Sequence, residues 1–143
     1  MSDLSGNSFA NAPKTNTLME KIELKGHFAM TDHSLTHQVL LLRNSNLIGE
    51  TFHNVDILFG GTFYIEIATM LDDLIIEQGD EQDFTYVNAR SNGHGIIGKV
   101  FVIHSGGVKY YIGAGQMKIL ENNLDIVETS IGAKKYLYHP PAR

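Results

Sequence analysis

The sequence predicts an all-β fold, a single antiparallel β-barrel of roughly eight strands. Three observations carry this. Apolar residues recur at every second position over several segments; Gly-, Asn- and Asp-rich clusters separate those segments every eight to twelve residues; and the chain holds 14 glycines and no cysteine. At 143 residues it is one domain by length, long enough to bury roughly 68–70% of its unfolded surface without disulfides or metals.

The elements follow in order. Ser2 to Thr17 is rich in Ser, Asn, Gly and Pro without periodicity, so residues 1–18 are expected to be a disordered tail and 19–143 the barrel. From Lys21, the residues Ile22, Leu24, Phe28 and Met30 alternate with polar ones, the mark of a half-buried strand. Leu35 to Arg43 reads as a second strand, with Asn44-Ser45-Asn46 as its turn, and Leu47 to Leu58 as a third, closed by Gly60-Gly61. Thr62 to Met70 and Leu74 to Gln78 read as a hairpin about Asp72-Asp73. A helix over Ile65 to Gln78 competes, because Ile67, Leu71 and Leu74 also fit helical spacing. Phe84 to Arg90, Ile96 to His104, Val108 to Leu120 and Leu124 to Lys134 complete the strands. Glycines inside strand patterns, such as Gly26, Gly98, Gly113 and Gly115, suit the bends and bulges of a barrel, and closure removes exposed edges.

Charge and composition exclude several functions. A net charge of −5, without a clustered basic stripe, argues against nucleic acid. The absence of cysteine removes thiolate nucleophiles and zinc-thiolate sites. No signal pattern or bilayer-length apolar run is present, so a cytoplasmic location is the expectation, with no membrane partner. His27, His33, His37 and His53 lie on separate segments in no ligand motif, and no Ser sits in a nucleophile elbow, so neither a metal nor hydrolase chemistry is expected.

Three segments, in order, carry a resemblance. Leu42 to Thr51 is similar to a strand, turn and x-G-T element. Ile67 to Gly79 is similar to an a-T-f-x-x-x-D-G-x-I-x-x-x-G hairpin. Ile103 to Gly115 is similar to I-t-G-G-t-G-x-Y-x-G-a-x-G. Together, over about residues 21 to 135, they resemble the allene oxide cyclase-like and dirigent-like barrels, nearest in style to the small bacterial Diels-Alder cyclases of spirotetronate-type pathways. The resemblance implies a calycin-type barrel with an axial apolar cavity that folds a flexible hydrophobic small molecule for intramolecular ring formation, without a cofactor. It also implies a homo-oligomer, a dimer or trimer. A pericyclic step needs no nucleophile, since orientation alone can supply up to roughly 7–11 kcal/mol, and a donor aimed at a conjugated carbonyl would add activation.

On the period-two reading, the cavity wall or, equally, a packed interior is formed by Leu24, Phe28 and Met30, by Phe63, Ile65 and Ile67, and by Met117 and Ile119 on the strand of Tyr111. Polar residues within apolar strands are the catalytic candidates. Glu66 is a general acid if it points inward and a surface charge if outward, and its parity opposes Ile65 and Ile67. Tyr86 and Arg90 share a strand face and could anchor a carbonyl, or lie outside; Tyr111 offers a phenol among glycines or a core tyrosine. Three functions compete: a cyclase or isomerase, a lipocalin-like carrier of a hydrophobic ligand, and a structural interaction module with a filled barrel.

Overall fold

The computed structural model describes residues 19–92 and 98–125, together with 128 and 131. The expected tail and most of the strand expected over Leu124 to Lys134 lie outside them. The described chain forms eight antiparallel strands and one helix: β1 Ile22–Ser34, β2 Val39–Ile48, β3 Thr51–Gly60, β4 Tyr64–Glu66, β5 Met70–Gln78, α1 Glu81–Arg90, β6 Lys99–Ser105, β7 Val108–Ala114 and β8 Gln116–Asn122. The strands pair in the order β4-β7-β6-β5-β1-β2-β3-β8. The all-β class and the strand count agree with the sequence reading. The order has two ends, β4 and β8, so the ladder does not by itself make the expected barrel.

Alternation builds the core. Phe28, Leu40, Leu42, Ile57, Phe59, Ile76, Ile103 and Ile112 are at most 1% exposed and belong to one cluster, to which all eight strands contribute. Burying such side chains stabilises by about 1.5–3 kcal/mol each. Bulges keep the phase. β1 shifts register between Leu24 and His27, where Gly26 has φ +106° and its amide donates to Asp73 Oδ1 at 2.8 Å. A Cβ at Gly26 would also lie 2.7 Å from Asn44 Nδ2.

Four sequence expectations are corrected. The second strand does not start at Leu35 or turn at Asn44-Ser45-Asn46. Residues 35–38 form the turn, and β2 runs on to pair Ile48 with Thr51 around the two-residue loop Gly49-Glu50, Gly49 having φ +65°. The hairpin about Asp72-Asp73 is absent, and so is the competing helix. Residues 70–78 form one strand between β1 and β6, in which Asp73 adopts φ 53° as part of the bulge facing Gly26. Phe84 to Arg90 is helical because Asp80 and Asp83 make a reciprocal capping box: each carboxylate accepts from the other's amide at 2.9 Å. Finally, the strand from Val108 breaks at Gly115. Ile112 and Ala114 point to the core before it, Met117 and Ile119 after it, so Tyr111 and Gly113 lie on the opposite face from Met117 and Ile119.

The second face of β2 and β3 carries a buried ion pair. Arg43 donates from Nε and Nη2 to both Asp56 oxygens at 2.7 and 2.9 Å, their side chains being 4% and 0% exposed. The remaining contacts tie in the end of β8 and the chain beyond it: Asn122 Nδ2 donates to Asp56 Oδ2, Arg43 Nη1 to Glu128 O, and Asn54 Nδ2 to Leu124 O.

Candidate functional site

The four catalytic candidates come together. α1 lays Val87, fully buried, on Val100 and Val102 of β6, with Phe63, Tyr64, Phe84, Tyr86 and Tyr111 packed round them. This cluster is separate from the main core. Glu66 stands opposite Tyr111 in the β4–β7 ladder, on the face away from Ile65, which packs on the main core. Glu66 thus lies on the face away from the main core, where it is neither an inward general acid nor a free surface charge but meets Tyr86 of α1.

Its carboxylate is the hub. Tyr64 OH donates to Oε1 at 2.5 Å, and Tyr86 OH reaches Oε1 and Oε2 at 3.1 and 3.0 Å. The Tyr86 ring stacks on Tyr111 with centroids 4.5 Å apart and planes 26° apart. Arg90 sits over the other side of Tyr86, its guanidinium carbon 3.6 Å from the centroid, and Lys109 Nζ lies 5.5 Å from the Tyr111 centroid. The result is a four-layer stack of cation, ring, ring and cation, an arrangement favoured by the negative faces of both rings. Tyr86 and Arg90 meet because they are four apart on a helix, one turn over the other, and not because they alternate along a strand.

The electrostatics keep the phenols neutral. Burial, then the hydrogen bond and charge of Glu66, push Tyr64 up to about 12. The hydrogen bond to Glu66, then burial, raise Tyr86 as well. Both rings are donors at neutral pH, not bases. Lys109 also holds α1 to β7 through Asp83, at 2.7 Å. Burial works upward on Asp83, but the Lys109 and Asp80 hydrogen bonds outweigh it and hold Asp83 below the usual carboxylate range; the same bond raises Lys109.

The wall candidates divide. Phe28 is 1% exposed, and Leu24, Met30, Ile65, Ile67, Met117 and Ile119 pack, partly buried, against the same core. Phe63 does not. It belongs to the cluster under α1, its ring so close to Gly98 and Gly113 that a Cβ on either would come within 2.4 to 2.5 Å of it.

Sequence reasoning missed Tyr64 and Lys109. The signal was present in both cases: each stands two positions before a candidate, Glu66 and Tyr111, and so on the same strand face. Clefts open to solvent flank the sheet, one of about 460 Å³ between β1 and β2 and one of about 390 Å³ between β3 and β8, and neither is lined by the Glu66 cluster. Among the described residues no three His, Asp or Glu side chains are gathered as a metal site, and no helix is long and apolar enough to cross a membrane.

Comparison with known proteins finds no matching family model, no similar curated protein and no similar solved structure.

Proposed function

We propose that the chain is an interaction module: a β-barrel, closed and filled, that works through its outer surface. Continuity of the chain supports the closure. The ends of the ladder, β4 and β8, are prolongations of β3 and β7, interrupted only by residues 61–63 and by Gly115. Gly115 N donates to Gly60 O and Phe63 N to Gly113 O, both at 2.8 Å, which carries the pairing across the interruptions. Strands 51–66 and 111–122 then act as one pair that links β2 on one flank to β6 on the other. A single sheet whose eight strands all feed one core, with no second sheet against it among the described residues, also fits a curled sheet better than a flat one.

The observation that carries the functional reading is the occupation of that core. Phe28, Phe59, Ile57, Ile103 and Ile112 fill it at 0–1% exposure, while Glu66, Tyr86, Arg90 and Tyr111 sit outside it. A cyclase or carrier with an axial pocket needs the reverse. Tyr and Arg on a half-buried platform are the residue types that anchor partners. The cytoplasmic location and homo-oligomer expected from the sequence belong with this reading. Titration with a fluorescent linear polyene fatty acid tests it: no saturable uptake is expected, and one-to-one uptake into the core would overturn it.

One observation favours the cyclase as a second reading, the convergence of the four sequence-chosen side chains. Ring formation from a hydrophobic polyene would then take place on the outer face, with a phenol of the Glu66 cluster donating to a carbonyl. Turnover of a linear polyenone, lost in Tyr86→Phe, is the expected result, and no turnover removes this reading.

A further inference from the structure

Seven asparagines lie among the described residues, and the structure treats one of them differently. Asn44, Asn46, Asn54 and Asn122 stand in strands with their side-chain amides donating, in turn, to His27 O, Asn44 Oδ1, Asn122 Oδ1 and Asp56 Oδ2. Asn88 is held within α1. Asn123 is exposed, but the amide that follows it is engaged: Leu124 N–H donates to Asn122 Oδ1 at 3.2 Å. Asn92 is exposed, outside every helix and strand, and without a side-chain hydrogen bond among the described residues. In the whole sequence it is also the one asparagine that a glycine follows.

The end of α1 puts it there. Ser91 N–H closes the last turn on Val87 O at 2.9 Å. Asn92, one residue past that cap, takes a left-handed φ of 58°, a position that helices give to glycine or asparagine. The turn is closed before the Asn92 carbonyl, so rotation about ψ of Asn92 leaves the Ser91 bond in place. Its side chain, unbonded, turns as freely.

Those two rotations are what cyclisation of an asparagine requires. Hydroxide removes the proton of the backbone amide that follows, and the nitrogen attacks the side-chain Cγ. A C–N bond forms, and the side-chain nitrogen takes up a proton and leaves as ammonia. Water then opens the succinimide ring at either carbonyl, giving aspartate or, with the chain rerouted through the side chain, isoaspartate. The sum is amide plus water to carboxylic acid plus ammonia. The attacking nitrogen belongs to Gly93, which has no Cβ to obstruct the approach.

We propose that Asn92 is a modification site, at which the folded chain deamidates spontaneously through a succinimide. The product carboxylate makes the formal charge one unit more negative than −5. It stands past the C-terminal, negative end of α1, where like charge weakens the last turn. That turn carries Arg90, whose guanidinium carbon lies 3.6 Å from the Tyr86 centroid. Isoaspartate also adds a methylene to the backbone at the same point. The modification therefore ages the helix that completes the Glu66 cluster. It goes beyond the outer-surface reading and does not depend on it.

Tryptic mapping of the full chain after incubation in mildly alkaline buffer is the test. Cleavage after Arg90 and Lys99 isolates the fragment Ser91–Lys99. In the wild type this fragment is expected to gain the mass difference between a hydroxyl and an amino group. It should also separate into two forms, one of them labelled by an isoaspartyl methyltransferase, while fragments holding the other described asparagines stay unchanged. Gly93→Ala is expected to convert about tenfold more slowly, equivalent to about 1.4 kcal/mol on the barrier. A wild-type fragment that keeps its mass overturns the proposal, as does conversion of Asn123 or a strand asparagine at the same rate. A mass gain without the isoaspartyl label, or a rate indifferent to Gly93→Ala, overturns the succinimide route. None of these results touches the polyene titration, which judges the filled core.

Discussion

Replacing Asp56 with Leu isolates the cost of burying Arg43 without its partner. The pair is bidentate, at 2.7 and 2.9 Å, with both side chains at most 4% exposed. Water therefore cannot solvate the guanidinium left behind, and of its partners only the Glu128 carbonyl remains. Breaking such a pair from one side costs about 3–5 kcal/mol, a large part of the roughly 5–15 kcal/mol that holds a domain together. The midpoint of thermal unfolding should fall by roughly 10 °C. Urea denaturation at neutral pH, with the slope checked for a two-state transition, reads the loss directly. The double variant Arg43→Met with Asp56→Leu should recover at least half of it, because no charge is then stranded. Full recovery is not expected, since Asn122 Nδ2 and Glu128 O each lose a partner. A single-variant loss below about 1 kcal/mol, or a double variant no better than the single, would refute this account of the pair.

Three other outcomes follow from the geometry. Tyr64 keeps its proton in the folded state up to about pH 12, whereas an unfolded tyrosine loses it near 10. Stability should therefore be intact below pH 10 and decline as pH rises from there towards 12. Tyr64→Phe should flatten that decline, and Glu66→Gln should bring the ultraviolet phenolate titration of Tyr64 and Tyr86 down in pH. Asp80→Ala deletes the capping box of α1 and should cost about 1 kcal/mol in urea melts, unless the helix is held by Val87 packing alone. Gly113→Ala places a Cβ 2.5 Å from the Phe63 ring and should cost about 1–3 kcal/mol as an overpacked site. Phe63→Leu should relieve that cost if the ring is its source.

Most strands were legible because half-burial writes itself as alternation, and Leu24, Phe28 and Met30 do pack in the core. The misreadings have specific causes. Phe84-Thr85-Tyr86-Val87 has strand propensity, but the caps of Asp80 and Asp83 and a buried Val87 override it. Asn44-Ser45-Asn46 has turn composition, but its amides satisfy partners inside a strand: Asn44 Nδ2 donates to His27 O, and Asn46 Nδ2 to Asn44 Oδ1. The phase change at Gly115 is invisible to any count of alternate residues. The four candidates lie together for a reason the sequence reading did not contain: the segment that brings Tyr86 over Tyr111 is a helix and was read as a strand. Parity does give the face of Glu66, opposite Ile65 and Ile67, but not the phenols that meet it there.

The pairing of β3 with β8 has a consequence for how the chain comes to be folded. It matches Asn54 with Asn122 and Gly60 with Gln116, residues far apart in sequence whose approach costs loop-closure entropy before any contact repays it. The β1–β2 and β2–β3 hairpins can form as soon as their residues leave the ribosome. β3 must then wait, one flank unpaired, until more than fifty further residues have been made. Assembly of this protein is therefore gated by its C-terminal strands, and a ribosome stalled before Gln116 would hold out an apolar, unpaired strand to any chaperone nearby.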